Sequence, residues 1–322
     1  MEEKKTVAGT CLITTVDEKR QEMLGKTGGN RVISARLYYP AIYAGEPGVT
    51  IRNAAGEMYQ SPTIYKGKYP LIIYNHGYGS YMEANNKLCC VLAQNGYFVA
   101  SVGHAYESDP FELEDGSVIE LDQSIKKRQI SPAVRGTIAA LRMKKVKGTP
   151  KEMYESFYAF QKRYCLFLNE RLKEWADDIR CVESILRRDY ASAIDFTRGI
   201  GITGHSFGGN LAYYMCMNYP EYVCGVNIDG AIFGEYSGQR MQRAFLQICN
   251  RGNVSVVSKA LLDTDAPVEY EVFDGTTHMG FTDLAFFCKS GWMMGKTDAE
   301  IMSHKLLDLH LGFFEKYMQG NV

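Results

Sequence analysis

The hexapeptide G-H-S-F-G-G at positions 204–209 constrains the fold of this chain more than any other feature. Residues 199–203 before it predict a short strand, and residues 208–219 after it predict a helix that stops at Pro220. A strand, a G-x-S-x-G turn and a helix together are typical of a nucleophile elbow. On such a turn the flanking glycines leave room where side chains would clash, and the serine stands clear of the sheet. Ser206 is therefore the predicted nucleophile.

A second glycine turn follows an earlier apolar segment. Residues 71–74 read L-I-I-Y, which is typical of a strand buried on both faces, and residues 75–79 continue as N-H-G-Y-G. In proteins with a nucleophile elbow, this loop and the residue after the serine each supply a backbone N–H to the developing oxyanion. We therefore predict an oxyanion hole made by the backbone of Tyr78 and Phe207. His76 is expected to brace the loop through hydrogen bonds.

The general base must come from one of six histidines, three of which precede or adjoin the serine: His76, His104 and His205. In proteins built on this elbow, the acid and then the histidine follow the serine along the chain, so these three are set aside. His304 and His310 fall inside a predicted C-terminal helix at 299–317, where surface or packing roles are expected. His278 alone lies in a loop just past a predicted strand, and it is the predicted base.

Two positions could supply the acid. Asp229 ends a predicted strand at 223–228 and is followed by glycine, so its side chain would be held more rigidly than one in a loop. Asp263 and Asp265 come later, after a predicted strand at 245–249, where many enzymes with this elbow carry their acid. Asp229 is the favoured acid, and Asp263 and Asp265 remain alternatives.

Strand-like and helix-like segments alternate along most of the chain. Residues 31–39, 71–74 and 97–102 predict strands, and residues 82–94 predict a helix between the last two. Residues 171–187 carry an apolar stripe at helical spacing, which indicates a helix that packs on the sheet. This order predicts an α/β protein of the α/β-hydrolase fold, with a mostly parallel central sheet and helices on both faces.

Residues 111–168 interrupt the alternation and predict a helical insertion, or lid, within a single domain spanning 1–322. Its stretch 126–151 contains nine basic residues and no acidic one: Lys126, Lys127, Arg128, Arg135, Arg142, Lys144, Lys145, Lys147 and Lys151. A solvated helix face, balanced by acidic residues elsewhere in the insertion, is the favoured interpretation. Contact with anionic head groups or an anionic substrate is the alternative.

These segments together resemble the platelet-activating factor acetylhydrolase family and, behind it, the dienelactone-hydrolase-like esterases. The motifs that carry the resemblance are R-L-Y-Y-P at 36–40, N-H-G-Y-G at 75–79, G-H-S-F-G-G at 204–209, N-I-D-G at 227–230 and the loop around His278. The resemblance implies hydrolysis of short or oxidised acyl chains from phospholipids without any metal. It also supports Asp229 as the acid, because the family places its acid at that strand end. Residues 111–168 match nothing in the family pattern.

Composition narrows the partners and the compartment. The net charge is −1, with 36 basic and 37 acidic residues, which gives no reason to expect a nucleic acid. The chain has no apolar run of about 18 residues and no signal-peptide pattern at its start. Its nine scattered cysteines, without a C-x-x-C pair, favour reduced thiols in the cytoplasm.

The sequence thus predicts a cytoplasmic serine esterase for a small ester substrate, with no cofactor, no metal and no membrane span. Peripheral contact with lipid stays open, as does the oligomeric state. Two other functions also stay open. The same machinery could attack amides, as in a peptidase or amidase, and the fold could serve as a catalytically silent binding protein.

Overall fold

The computed structural model describes residues 6–25, 28–124, 147–164, 166–236, 238–254 and 264–318. Within these residues the strands, in chain order, are β1 Thr6–Gln21, β2 Asn30–Ile42, β3 Tyr59–Gln60, β4 Leu71–Asn75, β5 Phe98–His104, β6 Phe111–Glu112, β7 Val118–Ile119, β8 Ile200–His205, β9 Tyr222–Ile228, β10 Ala244–Asn250 and β11 Val268–Phe273. The α-helices are α1 Asn86–Gln94, α2 Pro150–Tyr164, α3 Leu166–Asp189, α4 Phe207–Asn218, α5 Leu284–Phe287, α6 Gly291–Met294 and α7 Ala299–Met318.

A nine-stranded sheet of these residues has the order β11-β10-β9-β8-β4-β5-β2-β1-β3. The strands from β11 to β5 are parallel, whereas β2 pairs antiparallel with both β5 and β1. The sheet is therefore mostly parallel, as predicted. Strands β8 and β4 lie side by side at its centre. The loops that follow them therefore meet at the carboxyl end of the sheet, where Ser206 and the loop of Tyr78 are found.

Helices cover both faces of the sheet. Strand β4 shows this directly, since Leu71 and Ile73 pack in one core with helices α3 and α4, while Ile72 and Tyr74 pack in the other with α1 and α7. All four side chains are fully buried. The apolar run L-I-I-Y is thus explained by burial on both faces, which is the expected environment of a central parallel strand.

The apolar stripe predicted for helix α3 is confirmed. Its apolar side chains with 1% exposure or less are Leu172, Trp175, Ala176, Ile179, Val182 and Leu186, whereas Ile185 is partly exposed. The same helix also buries three charged residues, Arg171, Asp178 and Glu183, which the apolar pattern does not predict.

Three element boundaries differ from the predictions. Strand β1, which was not predicted, pairs with β2 along most of its length. Strand β2 continues through Pro40, where an extended backbone needs no N–H on the pairing side. Helix α1 begins at Asn86 rather than at residue 82, because the preceding residues form turns in which Ala84 N–H donates to Tyr81 O and Asn86 N–H donates to Glu83 O.

The predicted insertion at 111–168 is only partly described. It begins with the two-stranded hairpin of β6 and β7 rather than with a helix, and its last part includes helix α2. The basic stretch at 126–151 lies mostly outside the described residues, with Lys147 and Lys151 inside them. The lid and the single-domain organisation therefore stay predictions.

Candidate active site

Ser206 stands on a sharp turn between β8 and α4. Its backbone has φ 57° and ψ −119°, a conformation that non-glycine residues rarely adopt, and its N–H donates to Ile228 O on the next strand at 2.8 Å. The flanking glycines are required by contact, because a Cβ on Gly208 would overlap the backbone oxygen of Asn75, and one on Gly204 would overlap Gly208. The segment thus has the geometry of a nucleophile elbow.

His278 and Asp229 meet beside this turn. Asp229 follows the last residue of β9, His278 lies in the loop after β11, and His278 Nδ1 lies 2.7 Å from Asp229 Oδ2. Since a carboxylate only accepts, Nδ1 carries the proton and Nε2 is left as the bare, basic nitrogen. Asp229 is 2% exposed, whereas the His278 side chain is 38% exposed and accessible to a substrate.

The alternative acids are placed differently. Asp265 lies at the surface, where its carboxylate accepts hydrogen bonds from Arg240 Nε and Gln242 Nε2, both at 2.7 Å. Asp263 falls outside the described residues. Of the two candidate aspartates that the structure describes, Asp229 is therefore the one in contact with His278.

Two asparagines that the sequence analysis missed hold Asp229 in place. Asn250 donates its backbone N–H to Oδ1 at 2.9 Å and its side-chain amide to Oδ2 at 2.7 Å, and Asn253 donates its amide to Oδ2 at 2.8 Å. These three hydrogen bonds fix the position and orientation of the carboxylate beside His278. Asn250 ends the strand next to β9, and neighbouring parallel strands end at the same end of the sheet, but this becomes a signal only once the order of the strands is known.

The loop after β4 lies against the nucleophile. A Cβ placed on Gly77 would be 3.1 Å from Ser206 Cβ. Phe207 is the first residue of α4, so its N–H belongs to the open end of that helix, which carries a partial positive charge. The backbone N–H groups of Tyr78 and Phe207 thus belong to two segments that meet at Ser206, an arrangement that could bind a developing oxyanion.

Most of the chain matches a known protein family. Residues 49–318 match the family described as platelet-activating factor acetylhydrolase, isoform II. The chain belongs to that family. A platelet-activating factor acetylhydrolase of Gallus gallus is 24% identical over 283 residues, which are 78% of this chain and 62% of that protein. The one of Cavia porcellus is 24% identical over 276 residues, which are 81% of this chain and 60% of that protein. The match therefore spans less than two thirds of either relative.

Solved structures support the fold. A ferulic acid esterase from Streptomyces cinnamoneus superposes with a TM-score of 0.73 at 19% identity, covering 98% of this chain and 91% of that one. A dienelactone hydrolase-like promiscuous phosphotriesterase, P91, from metagenomic libraries superposes with a TM-score of 0.50 at 9% identity, covering 95% of this chain and 99% of that one. The predicted α/β-hydrolase fold is thus confirmed.

Two further histidines near the nucleophile elbow, His76 and His205, make hydrogen bonds that hold loops of the site. His76, as expected, braces its loop, with Nδ1 donating to Gly77 O at 2.7 Å and Nε2 lying 2.8 Å from Ser108 Oγ. His205 Nε2 donates to the backbone oxygen of His278 at 2.9 Å, a contact the sequence analysis did not foresee. Burial lowers the pKa of His76 to about 3 and holds that of His205 well below its ordinary value, so both rings are neutral.

Six large side chains that are close to the site residues along the chain differ in their exposure. Tyr78, Tyr81, Phe233 and Met279 are partly exposed, whereas Met82 and Phe207 are buried at 1% and 5% exposure. The rings of Tyr78 and Phe207 both pack on the buried Trp175, with centroid distances of 5.7 and 4.9 Å. Met82 and Phe207 are therefore core residues, and their side chains do not line a substrate site.

The loop that carries His278 is fastened to helix α1. Asn85 Nδ2 donates to Phe281 O at 2.6 Å, and Asp283 Oδ2 accepts the backbone N–H groups of Lys87 and Ala55, both at 2.9 Å. Burial raises the pKa of Asp283 to about 7, although these hydrogen bonds act in the opposite direction. This family member thus holds a buried carboxyl that titrates near neutral pH, five residues after the histidine.

We expect Asp283→Asn to change how stability depends on pH. A carboxyl whose folded-state pKa exceeds its unfolded value of about 3.9 holds its proton more tightly when folded. Its contribution to stability is therefore present at low pH and is lost as pH rises towards 7. Relative to Asp283→Asn, the native protein should lose about 1.4 kcal/mol of unfolding free energy per pH unit from pH 5 to pH 7. Urea unfolding of both proteins at pH 5, 6 and 7 measures this, and a constant difference between them would contradict it.

Among the described residues, no helix combines the length and the apolar character needed to cross a membrane.

Proposed function

We propose that this protein is a serine carboxylic-ester hydrolase in which Ser206, His278 and Asp229 act as the catalytic triad. The observation that carries the proposal is the 2.7 Å contact between His278 Nδ1 and Asp229 Oδ2, made beside a serine on a nucleophile elbow. Membership of the acetylhydrolase family and the esterase-like fold support the same reaction class.

In the proposed reaction, His278 Nε2 takes the proton of Ser206 as the serine oxygen attacks the ester carbonyl. The negative charge that develops on the carbonyl oxygen is stabilised by the N–H groups of Tyr78 and Phe207. The intermediate then collapses, His278 returns the proton to the departing alcohol, and an acyl-serine remains. Water, deprotonated by His278, attacks the acyl group and releases the acid and the free serine. Asp229 holds the tautomer of His278 and stabilises its charged form throughout.

A fluorophosphonate probe tests this assignment against a catalytically silent binding protein, because only an activated serine is labelled. Labelling should occur in the native protein and disappear in Ser206→Ala.

An amidase or peptidase remains the second candidate, since a positioned triad attacks amides as well as esters. A panel of acyl esters, a lysophospholipid and a peptide amide, compared by kcat/KM, separates the two. Faster turnover of the amide than of every ester would contradict the proposal.

The proposed substrate is an ester with a short acyl chain, of the phospholipid type suggested by the family. Tyr78, Tyr81, Phe233 and Met279, all partly exposed, come from loops near the elements of the site. A site with such walls would bury a few methylenes, each worth about 0.8 kcal/mol. We expect kcat/KM to be highest for C2 to C6 acyl chains in a series of p-nitrophenyl esters from C2 to C12. A steady rise through C10 and C12 would instead indicate a long-chain lipase.

A cytoplasmic location and a part in lipid degradation belong to the same proposal. The cysteines of the described residues are free thiols, which is typical of a reducing compartment. The favoured interpretation of the basic stretch at 126–151 stays a solvated surface, and contact with anionic head groups is the alternative.

A further inference from the structure

The loop that carries Tyr78 rests on the segment at 107–109. The Gly79 N–H donates to Glu107 O at 3.0 Å, and the Asp109 N–H donates to Ser80 O at 2.8 Å. Ser108 Oγ contacts His76 Nε2 at 2.8 Å, one residue before the loop's first glycine. The backbone around Tyr78 is therefore held by this segment on both sides.

Such support matters because glycines flank Tyr78. Gly79 has φ 74°, a left-handed conformation, and Gly77 lies against Ser206, where a side chain would have little room. Glycine gives the backbone more conformational freedom than any other residue. The direction of the Tyr78 N–H between two glycines is thus fixed by outside contacts more than by its own chain.

Glu107 is the fixed point of the supporting segment. Its carboxylate is fully buried and accepts two hydrogen bonds from Arg171, from Nε at 2.8 Å and from Nη2 at 2.6 Å. Arg31 Nη2 adds a third contact at 3.3 Å. A two-pronged bond between a guanidinium and a carboxylate allows little movement of either group. The same residue that accepts the Gly79 N–H through its backbone is therefore anchored through its side chain.

The anchor belongs to one face of helix α3. Arg171, Trp175 and Asp178 follow each other at spacings of four and three residues, so they lie on the same side of the helix. Trp175 stacks on the Tyr78 ring with a centroid distance of 5.7 Å and an interplanar angle of 13°. Asp178 accepts hydrogen bonds from Arg31 Nη2 at 2.7 Å and from His104 Nδ1 at 2.8 Å.

The charges of this face are compensated. Burial alone would raise the pKa of Asp178, but the Arg31 guanidinium and the His104 hydrogen bond outweigh it and hold the pKa below its ordinary value. The Asp178 carboxylate is therefore charged near neutral pH. Arg31 contacts both Asp178 and Glu107, so it links α3 to the segment that supports the loop of Tyr78.

We propose that Glu107, fixed by Arg171, is a positioning residue that sets the Tyr78 N–H for the oxyanion of the reaction. This inference rests on the proposed function, because it assigns the Tyr78 N–H to the oxyanion hole. Donors stabilise an oxyanion only within about 2.7–3.1 Å of it, so a small shift of the loop weakens transition-state binding. Glu107 touches neither the nucleophile nor the base. Its effect passes through Gly79, which its backbone oxygen holds, and through Tyr78 itself, whose hydroxyl lies beside the Glu107 carboxylate.

The experiment compares Glu107→Gln, Arg171→Lys and the double variant with the native protein. Glu107→Gln keeps the shape and removes the charge, while Arg171→Lys keeps the charge and removes the two-pronged geometry. Four quantities are measured for each variant: kcat and KM on a short-chain ester, the inhibition constant of a trifluoromethyl ketone, and the melting temperature. The ketone forms a tetrahedral adduct with an activated serine and so reports on binding of the oxyanion.

Glu183→Gln is the matched control. Like Glu107, Glu183 has a buried carboxylate; it lies on α3 and accepts a hydrogen bond from the Tyr222 hydroxyl. Tyr222 is the first residue of β9, whereas Ser206 follows the last residue of the neighbouring parallel strand β8. The pair of Glu183 and Tyr222 therefore lies at the opposite end of these strands from Ser206. Glu183→Gln should lower the melting temperature and leave kcat/KM and the inhibition constant unchanged.

Glu107→Gln should lower kcat about 10- to 100-fold with little change in KM. This decrease is no larger than the one expected when a complete oxyanion donor is removed. The inhibition constant of the ketone should rise by the same factor. Because Arg171 acts through Glu107, adding Arg171→Lys to Glu107→Gln should lower kcat no further, although it lowers kcat on its own.

The inference is overturned if both single variants melt at lower temperatures than the native protein yet keep kcat and the inhibition constant within about twofold, as Glu183→Gln does. If Glu107→Gln does not fold, Arg171→Lys decides by the same two quantities. Failure of the proposed function looks different, because the native protein itself would then hydrolyse no ester and would bind no fluorophosphonate. That result would overturn both proposals.

Discussion

Ser206→Ala is expected to lower kcat for ester hydrolysis by about 10⁶-fold while the protein stays folded, and His278→Ala should lower it by a similar factor. The nucleophile and the base act as a unit, so removing either one removes the covalent route. The methyl group of alanine fits wherever the serine side chain fits, and the turn keeps its flanking glycines. Initial rates at saturating ester, with melting temperatures of the same preparations, measure the effect.

Ser184→Ala provides the control for this prediction. Ser184 is an exposed residue of α3 whose hydroxyl donates to Arg180 O at 3.0 Å, so its loss should leave kcat unchanged. If Ser206→Ala kept more than about 1% of the native kcat, Ser206 would not be the nucleophile. A folded but inactive Ser184→Ala would instead indicate that the assay follows something other than the proposed site.

Asp229→Asn should lower kcat by about 10⁴-fold without a large loss of stability. An amide at this position can present its NH₂ to His278, which would favour the tautomer that carries its proton on Nε2 and cannot accept from the serine. Asn250 and Asn253 now donate to the carboxylate, and they would compete for the single amide oxygen. The measurement is kcat and KM on the preferred ester, made beside Asp265→Asn.

Asp265→Asn is the comparison because Asp265 is a surface residue paired with Arg240. It should retain native kcat, and Asp263→Asn should do the same. An inactive Asp263 or Asp265 variant beside an active Asp229→Asn would move the acid to the later position. That outcome would also leave the contact between Asp229 and His278 without a role in the chemistry.

The residues of the proposed triad could be predicted from the sequence because each is tied to a local pattern. Ser206 stands between glycines that only a tight turn requires, Asp229 follows a strand and precedes a glycine, and His278 follows the last strand. The supporting residues have no such pattern. Asn250 and Asn253 look like ordinary loop asparagines until the order of the strands is known, because their contacts depend on which strands are neighbours.

Buried charge was the other feature that the sequence concealed. Charged residues are usually exposed, so nothing in the sequence marks Arg171, Glu107 and Asp178 as buried. The apolar stripe of α3 predicts which apolar residues are buried and gives no information on the charged ones beside them. Their burial depends on partners more than 60 positions away in the chain, such as Glu107 for Arg171. Periodicity describes one helix at a time and cannot find a partner on another element. Strand β1 was missed for a related reason, since its end carries the charged residues 17–20 and is only partly buried.

The long antiparallel pair at the start of the chain has a consequence for where this family's domain can be divided. The region matched to the family, residues 49–318, begins after β2, yet β2 is hydrogen-bonded to β5 from Ile33 opposite His104 to Tyr38 opposite Val99. A protein begun at residue 49 would expose the edge of β5 and the apolar side chains that β2 now covers, and open strand edges of this kind promote aggregation. The stretch that sequence similarity recognises is therefore smaller than the stretch that completes the sheet.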